Sequence, residues 1–214
     1  MRMLLPSLAL ALGAAAGPAA ACPEVPPAAE YAIHHETHGE VGRHVITFAC
    51  ENGRLIVETA IEGEVRLLTI PILRREARYR EVWLGDRLVA FESRVVDNGE
   101  TYEVTARAAG ELTIINGRRG RIEAPASVVS NHPWNYAVLD RPLLFDTQRG
   151  RLQQVQVTPA GAETITVGGR AIRALKYLVT GDLERELWYG EDGSWLQSRL
   201  AYQGAAITLT RLWR

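Results

Sequence analysis

The stretch Ser130-Asn131-His132-Pro133-Trp134-Asn135 puts a hydroxyl, an imidazole, an indole and two side-chain amides close together. Ser130 and His132 alternate with Asn131, so an extended backbone points both to one face, as a nucleophile and its general base would require. Such a site also needs a carboxylate behind the imidazole and donors for an oxyanion. Asp140 and Asp146 follow, but no spacing ties either to His132, and the chain has no Gly-x-Ser-x-Gly elbow. Hydrolysis through His132 is therefore the lesser expectation, and no catalytic residue is assigned. Because His132 precedes a proline, its backbone is biased to be extended. The stretch is expected to be a loop or strand edge that aims Trp134, with Asn131 and Asn135 fastening backbone groups.

A second cluster, His34, Glu36 and His38, would share a face of a strand. Two imidazoles and a carboxylate suit zinc or copper, but residues spaced along one strand cannot enclose an ion without donors from elsewhere. A solvated strand face is expected there and no metal site. Gly181-Asp182-Leu183-Glu184 offers too few oxygens for a calcium loop. Gly161, Gly168 and Gly169 lack the strand-to-helix setting and the lysine of a phosphate cradle. No cofactor is expected.

The elements that must position these residues are strands. Period-two patterns dominate. His44–Cys50 and Arg54–Ile61 flank Asn52-Gly53, a hairpin signal. Leu88–Val96 with Thr101–Ala106, and Glu111–Ile115 with Arg121–Glu123, read as further hairpins. The segments 151–157, 164–167, 172–180, 184–189, 195–202 and 206–212 read as a meander. Only Pro125–Phe145 has mixed character, with a short helix or a crossing loop expected at 125–129. So many strands cannot stay flat. The expected fold is all-β: a strongly curved, mostly antiparallel sheet forming a half-barrel or open barrel, with at most one or two short helices.

A weak echo links Glu81-Val82-Trp83-Leu84-Gly85-Asp86 with Glu186-Leu187-Trp188-Tyr189-Gly190-Glu191. Each describes a strand with Glu and Trp on one face, followed by a turn and a partner strand, at equivalent places in one curved sheet. Arg78, Arg80 and Glu81, like Arg185 and Glu186, are explained by cross-strand charge pairing. Were the interior open, inward charges there would be candidates for an anionic head group. Tryptophans large enough to line a concave interior, together with the 130–135 stretch, set the expected ligand contacts: Trp83, His132, Trp134, Asn135, Trp188 and Trp195.

The first residues carry a different message. Arg2, the apolar run Met3–Leu12 and Ala19-Ala20-Ala21 read as an export signal over residues 1–21, leaving a single β domain over 22–214. The apolar run is too short for the ~20 residues that cross a bilayer. Cys22 and Cys50 are the two cysteines. An oxidising compartment favours a bridge between them, whereas lipidation of Cys22 at the new N-terminus is the minor alternative and the only route to membrane contact. The 24 Lys and Arg against 25 Asp and Glu give a net charge of −1, which gives a nucleic-acid partner no electrostatic support.

Tyr31–Gly42 with Gly39 and Gly42, Glu81-x-Trp83, Ser130-x-His132-x-Trp134-Asn135, Gly181-Asp182-Leu183, Leu187-Trp188-Tyr189 and Gly193-x-Trp195 together resemble a family of exported bacterial proteins of uncharacterised function. The resemblance covers nearly all of 22–214 and brings no activity. At the level of fold, the pattern and the periplasmic address are similar to the half-barrel carriers of lipoprotein acyl chains. The expectation is a periplasmic or secreted binding or carrier protein for a lipid or other apolar or amphiphilic ligand. The alternative is an envelope-assembly or structural protein with a packed interior and an envelope protein partner.

Overall fold

The structure, a computed structural model, describes residues 24–67 and 70–213. It contains β1 (Ala29–His35), β2 (Gly39–Glu51), β3 (Arg54–Leu67), β4 (Ile70–Leu84), β5 (Arg87–Asp97), β6 (Glu100–Ala109), β7 (Leu112–Gly117) and β8 (Gly120–Pro125). After these come β9 (Val129–Ser130), a 3-10 helix (Tyr136–Asp140), β10 (Leu143–Phe145), β11 (Leu152–Val167), β12 (Arg170–Gly181), β13 (Arg185–Tyr189), β14 (Trp195–Tyr202) and β15 (Ala205–Leu212).

All fifteen strands form one sheet in the order β8-β7-β6-β5-β4-β3-β2-β1-β15-β14-β13-β12-β11-β10-β9. Every neighbour is antiparallel except β9 with β10, which is parallel. The outermost strands of that order, β8 and β9, are joined by residues 126–128 alone, so the sheet must curl until its edges lie side by side. Bulges at Ile33/His34, Val65/Arg66, Val82/Trp83, Pro159/Ala162 and Trp188/Tyr189 supply local bend and twist. The expected curved, barrel-like all-β architecture is what forms.

Local chemistry explains the corners. Asn52 and Gly53 sit at φ 51° and 75°, the left-handed pair that a two-residue hairpin demands. Gly42 has another duty. A Cβ there would lie 2.0 Å from the Glu62 carbonyl oxygen and 2.7 Å from the Gly63 Cα, so β2 can approach β3 this closely only without a side chain.

Alternation sets the inner face. On β4, Ala77, Tyr79, Glu81 and Trp83 are buried, while Arg78 and Arg80 face out to pair with Glu62 and Glu58 at 2.7 Å. Phe91 and Val95 of β5, Val104 of β6, Val57 of β3 and Ile46 of β2 complete this wall. The chain between β9 and β10 crosses the barrel as a plug: Trp134, Val138 and Leu139 pack against the same core.

Two expectations are corrected and one alternative is decided. Segments 151–157 and 164–167 are not separate strands but parts of one long β11, which pairs with β12 from Val155 to Val167 because a bulge absorbs Ala160-Gly161. Of the short helix and the crossing loop expected at 125–129, the loop forms: Val128 N–H closes a turn onto the Pro125 carbonyl at 3.0 Å, and β9 begins at once. The echo is real as strand and turn but not in facing. Glu81 and Trp83 point inward, whereas on β13 the inward phase belongs to Leu187 and Tyr189. Trp188 therefore packs outside, in a small cluster with Val167, Ala174 and Leu196.

Candidate functional site

The inner carboxylate of β4 organises the site. Glu81 is fully buried, flanked across the ladder by Val57 and Phe91, so the cross-strand charge pairing expected for it does not occur. It accepts instead from donors gathered by other elements. Oε2 takes the indole N–H of Trp83 at 2.8 Å and of Trp134 at 2.9 Å, and Oε1 takes the Ser130 hydroxyl at 2.9 Å. An acceptor-only group surrounded by donors is how a carboxylate is tolerated in an apolar interior. Trp83 and Trp134 meet edge to face at 5.6 Å, and Trp134 also packs on Phe48.

Beyond the carboxylate lie two imidazoles. His132 Nδ1 is 3.6 Å from Glu81 Oε1, and its Nε2 is 3.0 Å from Nε2 of His44, with the rings stacked at 5.1 Å. One imidazole must donate and the other accept, so the tautomers of the pair are linked. Burial, then the neighbouring His132 and Arg185, holds His44 well below the usual histidine range, so it is neutral at pH 7. His132 and His44 thus form a buried, hydrogen-bonded imidazole pair beside Glu81, with His132 Nδ1 left without a hydrogen-bond partner among the described residues. Ser130 does not complete a nucleophile–base couple with His132, because its hydroxyl bonds to Glu81.

His44 and His132 open onto a cavity of about 490 Å³ inside the barrel. Ile33, Ile61, Leu73, Leu200, Ile207 and Leu209 give it apolar walls. Leu73 and Tyr79 both line it from β4, which at ~3.3 Å per residue makes it roughly 20 Å long. Across its middle runs a polar clasp: Arg75 pairs with Asp97 at 3.1 Å and bonds Gln148 at 3.0 Å, while the Tyr202 hydroxyl donates to Asp97 at 2.5 Å. This ties β4 and β5 to β14 on the far wall.

Near the imidazoles the cavity meets Arg185. Its Nη1 donates to the Asn131 carbonyl at 3.1 Å, while Nε is shut from solvent and bonds nothing. Among the described residues no carboxylate comes within ion-pairing range of it. The nearby Asp146 is engaged with the backbone N–H groups of Gln148 and Arg149 and with Arg151. Desolvation pushes the Arg185 pKa down, offset in part by Tyr189, Tyr79 and Asp146. The charge pairing expected for Arg185 is therefore absent, whereas Glu186 does pair, with Lys176 at 2.9 Å.

Of the expected ligand contacts, His132 and Trp195 line the cavity. Trp195 stacks on Tyr31 at 4.0 Å, and its carbonyl accepts the Tyr31 hydroxyl at 2.9 Å. Trp83 and Trp134 stand behind the cavity wall and hold Glu81. Asn135 caps the 3-10 helix, its Oδ1 accepting from Ala137 N–H at 2.9 Å. Trp188 lies on the outer face. The His34, Glu36, His38 cluster is not a strand face: β1 ends at His35 and Glu36–His38 form a turn in which His35 Nδ1 accepts from Thr37 N–H. Among the described residues no three histidines, cysteines or carboxylates are arranged to hold a metal ion. Cys22, and with it the expected Cys22–Cys50 bridge, lies outside the described residues, as does the expected export signal.

Arg185, Arg75 and His44 are among the cavity residues that the expected contact set does not contain. Their signal is their phase: each sits on a strand whose neighbours at i±2 face inward.

Comparison with solved structures places the fold. The chain is similar to a beta-barrel-like protein of the domain of unknown function DUF1849 from Brucella abortus, with a TM-score of 0.59 over 90% of this chain and 98% of that one. At 10% identity the likeness is one of fold alone. Among curated proteins none matches the sequence. Residues 31–212, β1 through β15, match one family across the whole barrel, and the chain belongs to it: the domain of unknown function DUF6134.

Proposed function

We propose that this protein binds or carries an apolar or amphiphilic ligand inside its barrel, in the periplasm or outside the cell. The observation that carries this reading is the cavity of about 490 Å³ with aliphatic walls, which falls within the ~300–1,000 Å³ typical of small-molecule sites. A barrel built only for assembly would fill that space with side chains, since interiors pack to crystal-like density. Export is supported by the signal-like residues 1–21.

Native mass spectrometry of protein taken from its own envelope tests the reading. An adduct released by organic solvent is the expected result. A bare chain that also fails to take up any added amphiphile would overturn it. The same spectrum reads Cys22: a mass two hydrogens light reports the bridge to Cys50, and an added acyl mass reports an anchor.

A further inference from the structure

The cavity has aliphatic walls interrupted by the Arg75–Asp97–Tyr202 clasp, and at one end it meets a guanidinium without an ion-pair partner among the described residues. Going down β4 from the β3–β4 hairpin, the lining runs Leu73, Arg75, Tyr79; across it on β14 the lining runs Leu200, Ser198, Trp195. At the Tyr79–Trp195 end stand His44, His132 and Arg185. Arg75 is neutralised by Asp97 within the clasp, so it does not compete for a ligand's charge. Arg185 is different. Its Nε is buried and bonds nothing, its single bond goes to a neutral carbonyl, and it still borders the cavity.

Placing an unpaired cation in a low-dielectric interior costs several kcal/mol. Here the guanidinium faces a space large enough for a ligand rather than a packed wall. The donor fork of arginine fits the paired oxygens of a carboxylate or phosphate ester. At this end of the cavity Arg185 has no salt bridge among the described residues, while the nearby Asp146 is already held by Arg151, so one anionic group would complete the pairing of Arg185.

We propose that the cavity takes a monoanionic amphiphile head first, with its acidic oxygens against Arg185 and its apolar chain lying along Leu200 and Leu209 toward the Arg75–Asp97 clasp. The inference rests on the cavity-binding reading above and names its ligand class. His44 and His132 bound the head-group pocket on the side opposite the chain. Long-chain carboxylates and monoacyl phosphodiesters share this chemistry, and the experiment separates them.

The protein without its signal, stripped of lipid, is titrated at pH 7.5 with palmitate, with a lysophosphatidylglycerol and with 1-hexadecanol. Parent, Arg185→Met and Arg185→Lys are compared, with near-UV circular dichroism as the check on folding. One anion is expected to bind the parent about ten- to a hundredfold more tightly than the alcohol, the worth of charge-assisted hydrogen bonds. Which anion leads identifies the head group. Arg185→Met should erase that preference while leaving the alcohol's affinity in place, and Arg185→Lys should keep part of it.

Equal binding of all three ligands by the parent overturns the anion inference but leaves the cavity reading standing. The anion inference falls in the same way if Arg185→Met, still folded, weakens anions and alcohol alike. Failure of all three to bind overturns both. If Arg185→Met does not fold, the parent's preference, or lack of it, still decides.

Discussion

Replacing Glu81 by glutamine changes one buried atom type and should destabilise the barrel far more than any surface carboxylate can. In the parent, Oε2 accepts two indole N–H groups and Oε1 accepts the Ser130 hydroxyl. Glutamine keeps one acceptor oxygen. Set at the Oε2 position, it retains both indoles but without charge assistance, a loss of about 1 kcal/mol each given ~1.5–3 for charged and ~0.5–1.5 for neutral hydrogen bonds. The amide NH2 then meets the Ser130 hydroxyl, which must rotate to accept. The sum is about 2–4 kcal/mol. Urea unfolding followed by tryptophan fluorescence and far-UV circular dichroism measures it. Glu58→Gln is the control, because Glu58 pairs with Arg80 on the exposed outer face at 2.7 Å and should change stability by less than ~1 kcal/mol. Equal effects for the two variants would refute the donor cage as the reason Glu81 is tolerated inside.

The neighbouring imidazole adds a pH dependence. His44 is held neutral in the fold, so the unfolded chain, with its histidine near ~6.5, binds the proton better; stability is complete above that pH and falls as pH drops below it, by up to ~1.4 kcal/mol per unit. Urea midpoints at pH 7.5, 6.5 and 5.5 should show this slope, and His44→Gln should flatten it; an unchanged slope would exonerate His44. At the β2–β3 contact, Gly42→Ala must push the Glu62 carbonyl aside and should cost about 3 kcal/mol. Gly63→Ala, whose Cβ would meet nothing closer than 3.7 Å, should cost less than ~1 kcal/mol, so similar thermal shifts for the two would show that the tight approach is not what requires glycine at position 42.

Strand content and hairpin positions are readable in the sequence because they are local. Asn52-Gly53 dictates its own turn, and strict alternation along Ala77-Arg78-Tyr79-Arg80 marks an inner and an outer face. The closure of the sheet is only partly readable, since it depends on 126–128 bridging the outermost strands, a long-range fact. Within the site, the stretch 130–135 stands out by composition, yet what it reaches comes from elsewhere: Glu81 is 49 residues from Ser130, and His44 is 88 from His132. The phase of Glu81 is its signal, because it follows Tyr79 and precedes Trp83 on the apolar face, where a carboxylate requires donors. Reading it as one half of a surface charge pair treats its neighbours Arg78 and Arg80 as its partners, although they point the other way. Tryptophan count misleads for a related reason. An indole is as useful behind a wall, donating to Glu81, or on the outside over Val167, as it is facing a ligand. Arg185 stands on the inward phase with Leu187 and Tyr189, but only the three-dimensional arrangement shows that no carboxylate meets it.

The positions of the tryptophans permit a direct measurement of where a ligand sits. Trp195 lines the cavity, Trp83 and Trp134 stand behind its wall, and Trp188 lies outside the barrel. A bromine-bearing fatty acid, which quenches nearby indoles, should lower the fluorescence of the parent, and Trp195→Phe should remove most of that quenching while the ligand still binds. Quenching that survives Trp195→Phe and disappears with Trp188→Phe would put the ligand on the outer surface and contradict the interior site.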